Sequence, residues 1–136
     1  MKKALLLFAL TILVSPISWA GDKIVIVVHP DNTANLSQGM VDQIFKGDTN
    51  RWPDGSRITV INQSLGSFIR TEFFDKALKS KPDAKFYPKN QPVAFRTIQQ
   101  SSSDKVKKII SSMKAAIGYI YESEVDSSVK VGYTLP

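Results

Sequence analysis

From Ile24 to Val28 the chain reads Ile-Val-Ile-Val-Val without a polar break, then meets His29-Pro30-Asp31-Asn32. A β-branched run of that length closed by a turn cluster predicts a strand over 23–28, buried on both faces. Periodicity changes next. Val41, Ile44 and Phe45 recur at helical spacing within 38–46. Ser37 stands ready to cap that helix, Leu36 to staple onto Val41, and Gly47 to stop it. The turn cluster Asn50-Arg51-Trp52-Pro53-Asp54-Gly55 leads into Arg57-Ile58-Thr59-Val60-Ile61, whose composition is that of a second strand. Ile69, Phe73, Phe74, Ala77 and Leu78 predict a helix over 68–79, its aromatics belonging to the core.

Residues 80–92 are rich in lysine and proline and show no period, which marks a surface connection. The alternation over 93–98 predicts a strand. Ser101-Ser102-Ser103-Asp104 offers caps for a helix through Met113, with Val106, Ile109, Ile110 and Met113 inward. Ala116–Tyr121 predicts a buried strand with a close backbone approach at Gly118, and 129–133 a last short strand. Strands alternating with helices through short connections imply an α/β layered domain.

The start of the chain does not fit that scheme. Lys2 and Lys3 precede an apolar run from Ala4 to Val14, and Ser18-Trp19-Ala20 puts small residues where a signal peptidase inspects them. This pattern predicts a cleavable signal peptide over 1–20, cut after Ala20, and a single domain over 21–136. The apolar run is shorter than the ~20 residues of a spanning helix, so no stable membrane insertion is expected after cleavage. The chain has no cysteine, which excludes a lipid-bearing cysteine, disulfides, thiolate metal sites and a cysteine nucleophile.

Charge refines the picture. The formal charge of +6 falls when Lys2 and Lys3 leave, and what remains is concentrated between Lys76 and Lys114. There, nine lysines and Arg96 face only Asp83 and Asp104. Such a stretch attracts small anions, lipid headgroups or nucleic acid, or simply keeps the surface soluble. Export makes nucleic acid the least fitting partner. His29 is the single histidine, so a zinc site or a serine triad lacks its parts. No nucleophile, base and orienting group occur together, so neither an enzyme, a catalytic residue, a metal nor a cofactor is expected.

The candidate chemistry lies at Ser64-Leu65-Gly66-Ser67, between the second strand and its helix. A Ser-x-Gly-Ser junction of this kind presents backbone N–H groups and hydroxyls to an anion, and Gly66 lets a ligand approach the backbone closely. Capping of the helix is the other role open to both serines. Arg70, one turn on, either faces the anion or pairs on the surface with Glu72 or Asp75. Lys105, Lys107 and Lys108 near the start of the last helix can add positive field.

Three blocks then carry a resemblance. They are Val27-Val28-His29-Pro30-Asp31-Asn32 with Leu36-Ser37, Ile44–Gly47 and Trp52; Val60–Ser67 with Arg70; and Ala116–Ile120. In this order they resemble the phosphate-binding proteins of bacterial ABC transporters, within the periplasmic type II binding-protein superfamily. The resemblance implies a single lobe of that fold, a mixed β-sheet with flanking helices, working in the periplasm. It also implies inorganic phosphate or a related oxyanion as ligand, held by Gln63, Ser64, Gly66, Ser67 and Arg70. The family's loop reads approximately Arg-Ser-Asp-Gly-Ser-Gly-Thr, whereas this chain has Gln63-Ser64-Leu65-Gly66-Ser67-Phe68-Ile69. Ser64, Gly66 and Ser67 match. Gln63 in place of arginine removes a charge-assisted contact worth about 1.5–3 kcal/mol, and Phe68 and Ile69 add bulk. The alternative is an interaction or sensory module that docks on a membrane transporter, a sensor or a partner lobe through Leu65, Phe68 and Ile69.

Overall fold

The structure, a computed structural model, describes residues 22–80 and 96–136. The signal-like segment over 1–20, most of the connection read at 80–92, and the first residues of the strand read over 93–98 lie outside the described residues. Five strands form one mixed sheet: β1 (Ile24–Val28), β2 (Thr59–Gln63), β3 (Arg96–Gln100), β4 (Ala116–Tyr121) and β5 (Lys130–Thr134). Their spatial order is β3-β2-β4-β1-β5. β2 runs parallel to both β3 and β4, whereas β1 is antiparallel to β4 and to β5.

Helix α1 (Gln38–Phe45) begins where Ser37 Oγ accepts the Met40 N–H, and it ends at Lys46, followed by Gly47 at φ 81°. Helix α2 (Phe68–Phe73) continues into a π-helical turn, Phe74–Leu78, that closes on Lys79 at φ 52°. The 68–79 segment is therefore helical as read, with its second half wound more widely. Helix α3 (Ser103–Ser112) starts at the Ser102 cap.

The helices divide between the two faces of the sheet, and this explains the unbroken apolar character of β1. Ile24, Ile26 and Val28 pack with α1 and α2 against Ile117 and Tyr119. Val25 and Val27 pack on the other face with α3, through Val106 and Ile110. Every residue of β1 is buried, because successive side chains enter opposite cores. Gly118 sits where α3 presses on the sheet: a Cβ there would lie 2.9 Å from Val106 Cγ1 and 3.2 Å from Ile110 Cδ1.

One boundary moves in a way that matters for the site. The second strand does not end at Ile61 but runs on through Asn62 and Gln63, both buried. Polar residues are tolerated in this central strand because Tyr119 of β4 brings a hydroxyl to them. Gln63 N–H donates to Tyr119 Oη at 3.0 Å, and that hydroxyl donates to Asn62 Oδ1 at 3.1 Å.

Candidate functional site

The parallel arrangement brings the C-terminal ends of β2, β3 and β4 to one end of the sheet, the end at which α/β folds place their ligand loops. The connection from β2 to α2 leaves there as a tight turn in which Ser67 N–H donates to Ser64 O at 3.0 Å. Gly66, inside the turn, has φ 88°, and a Cβ on it would meet nothing within 4 Å. Backbone conformation, not crowding, thus selects glycine here. Ser67 is the N-cap of α2, its Oγ accepting the Arg70 N–H at 3.4 Å. Ser64 Oγ turns toward Gln100 O, 3.4 Å away at the end of β3. Both hydroxyls therefore have local partners as well as a place in the loop.

Gln63 is committed inward. Its Nε2 donates to Ser103 Oγ at 3.0 Å and to Tyr119 O at 3.2 Å. Ser103 in turn donates to Glu124 Oε1, which also accepts the Tyr121 N–H. The residue standing where the family has arginine thus ties β2 to α3 and β4. Tyr119, Ser103 and Glu124 are the supporting residues that the sequence reading missed. The available signal was a tyrosine in a core strand, since a buried phenol needs a hydrogen-bond partner.

Arg70 corrects an expectation. Of the two roles read for it, the surface pair with Glu72 or Asp75 does not form. The residue is 7% exposed, on the inner side of α2. Its Nη1 donates to Gln63 O at 3.0 Å, and its guanidinium lies 5.1 Å from the ring centroid of Phe74, one turn along. Its buried Nε has no hydrogen-bond partner, and no carboxylate pairs with it among the described residues. Glu72 is engaged elsewhere, by Lys76 Nζ at 2.8 Å and by the Tyr121 hydroxyl at 3.1 Å. Burial and that carboxylate push the Tyr121 phenol up to about 12.

Around the loop, Phe68 is 91% exposed and Leu65 42%, whereas Ile69 is buried at 5%. Ile69 faces the core and does not belong to an outward apolar surface, because it follows the inner-face period of α2. Of the lysines read as a source of positive field, Lys107 is engaged by Asp126 at 2.9 Å and Asp104 at 3.5 Å. The Asp126 contact holds its ammonium above the usual lysine range. Lys105 Nζ bonds Ser101 Oγ at 3.0 Å. His29 Nδ1 accepts the Asp31 N–H at 3.0 Å. Among the described residues no group of acidic or histidine side chains could hold a metal ion, and no helix is long and apolar enough to cross a membrane.

A family model described as a PBP superfamily domain matches residues 14–134. No curated protein matches the chain. Among solved structures, an ABC-type phosphate transport receptor from Vibrio cholerae superposes with a TM-score of 0.67 at 22% identity, over 81% of this chain and 45% of its own. A putative phosphate ABC transporter substrate-binding protein with bound phosphate, from Clostridium perfringens, gives 0.65 at 24% identity, over 81% and 44%. PstS from Borrelia burgdorferi gives 0.57 at 22% identity, over 73% and 40%. At these identities the likeness is one of fold. The chain spans less than half the length of each of these structures.

Proposed function

The chain belongs to the family described as a PBP superfamily domain, and on that premise we propose that it is a periplasmic solute-binding-like protein that takes phosphate or a related oxyanion weakly at the Ser64–Arg70 connection. The observation that carries this reading is Arg70. A buried guanidinium is ordinarily paired with a carboxylate, and among the described residues this one has a carbonyl and a ring but no carboxylate. An oxyanion at the loop would supply the missing negative charge, with the first-turn N–H groups of α2 and the Ser67 hydroxyl as further donors, joined by the Ser64 hydroxyl on exchanging Gln100 O for the anion. The bound phosphate named for the Clostridium perfringens protein supports the choice of anion. Weakness follows from Gln63, whose side chain is neutral and held by Ser103 and Tyr119. In this reading residues 1–20 are removed on export, residues 21–136 act as one domain, and the activity is binding, not catalysis.

A second reading rests on Phe68. A ring 91% exposed beside Leu65 suits docking on a membrane transporter, a sensor or a partner lobe, with Ile69 now removed from the contact set. Titration calorimetry with phosphate, sulfate and molybdate separates the two, run on the wild-type protein and on Ser67→Ala and Arg70→Met. Salt-sensitive heat that Arg70→Met abolishes supports anion capture. Silence with all three anions, together with Phe68-dependent retention by a membrane-protein fraction, replaces it with docking.

A further inference from the structure

The opposite end of the sheet holds a cavity of about 420 Å³ that the anion loop does not touch. It lies where the chain leaves β1 and enters β2 and β4. Since β1 is antiparallel to β4, and β4 runs with β2, these connections are at the far end from Ser64. One wall is the segment from Asp31 to Asn35, another is Trp52 to Ser56, and Met40 and Lys114 complete the lining.

Both walls are fixed before any ligand arrives. Asn32 Oδ1 accepts the Ala34 N–H, and Asn32 O accepts Lys130 Nζ, each at 2.9 Å. Trp52 Nε1 donates to Ala115 O at 3.0 Å, and Trp52 N–H to Ser56 O at 2.9 Å. Asp54 Oδ1 accepts from both Ser56 N and Ser56 Oγ. A preformed concavity in the range of roughly 300–1,000 Å³ is what small ligands use.

The lining has a definite chemistry. Met40, Trp52 and Pro53 give an apolar part. Asp31 and Asp54 bring carboxylates and Lys114 an ammonium; the Ser56 hydrogen bonds and, more weakly, the nearby Lys114 charge hold the Asp54 carboxyl below its usual range. We infer that this cavity binds a free α-amino acid with an apolar side chain, its carboxylate at Lys114, its ammonium at the Asp31 and Asp54 carboxylates, and its side chain on Met40, Trp52 and Pro53. A neutral sugar leaves both signs of charge unanswered, and an inorganic anion leaves the apolar part and the carboxylates unused. This site does not depend on anion binding at Ser64–Arg70.

The test is an amide ¹H–¹⁵N titration of the purified protein with L-leucine, L-methionine, N-acetyl-L-leucinamide and trehalose. Saturable shifts at Asn32–Asn35, the Trp52 indole and Ala115, with Ser64–Arg70 unmoved, are the expected result for the two free amino acids. Blocking both charged groups, or Lys114→Met, weakens binding by about tenfold or more, the scale of one charge-assisted contact. Asp54→Asn does the same from the ammonium side. The proposal is overturned by an absence of shifts at millimolar leucine and methionine, by equal binding of the blocked compound, or by trehalose binding in their place. A parallel phosphate titration, read at Ser64–Arg70, reports on the anion site separately.

Discussion

The phenol ring of Tyr119 lies flat on Phe73, centroids 4.0 Å apart and planes 9° apart, while its hydroxyl serves two groups of neighbouring β2. The ring belongs to the core and the oxygen to the site, since the strand it steadies ends at Gln63. Burial raises this phenol above its ordinary range. Tyr119→Phe keeps the stack and strands the Gln63 N–H and Asn62 Oδ1. A loss of about 1–3 kcal/mol is expected, the cost of buried polar groups left unpaired. It is read as a lower urea midpoint with an unchanged slope.

Gly118→Ala is expected to cost about 1–3 kcal/mol, as for an extra methyl in a filled core. The added Cβ would press on Val106 and Ile110, both fully buried. Val106→Ala in the same chain should recover part of that loss, and a double-mutant cycle on urea midpoints measures the coupling.

Arg70 gives a third expectation. Phosphate at a hundredfold its dissociation constant should stabilise the wild-type protein by about 2.7 kcal/mol, seen as a higher melting temperature. Arg70→Met should melt at a temperature that phosphate does not alter. Arg70→Lys should retain part of the effect, since it keeps the charge without the planar fork that lies over Phe74. Without phosphate, Arg70→Met should change stability by less than about 2 kcal/mol. The loss of the Gln63 carbonyl's donor offsets the removal of a buried cation.

Several of these positions were legible in the chain alone. Ile24–Val28 and Ala116–Tyr121 declare themselves because each is covered on both faces, which leaves no polar gap. Ser37, Ser67 and Ser102 mark helix starts because capping is a local interaction of a hydroxyl with an N–H three residues on. Asn62 and Gln63 fall outside the strand read over 57–61 because their partner, Tyr119, is remote in sequence and a window of neighbours cannot show it. The burial of Arg70 escaped for a related reason. Its helical phase matches that of Ile69 and Phe73, but charge suggested solvent. The cavity between Asp31 and Lys114 is made by three segments distant in sequence, and no single one of them announces it.

Tyr121 contributes to the alkaline limit. Its phenol is raised from 10.0 to about 12 by burial and by the Glu72 contact, so the folded state holds that proton more tightly than the unfolded chain. The stability this represents is complete below pH 10 and is lost as pH rises through 10 toward 12. Tyr121→Phe should flatten that part of the alkaline limb, measured by urea unfolding at pH 9 to 12. The Tyr119 phenol, also raised, leaves a residual slope.

The pairing of β1 has a kinetic consequence. Ile24 lies opposite Tyr121 and Val25 opposite Thr134, so the first strand finds its hydrogen-bonding neighbours only in the last part of the chain. High contact order of this kind slows folding, because the largest loops must close before their contacts form. The β2–β3–β4 segment, with its nearer partners, is placed to gather first, and β1 to insert between β4 and β5 afterwards. The amides of β1 should then report global unfolding alone in hydrogen exchange. A holdase that captures the apolar Ile24–Val28 run would keep the whole chain from folding.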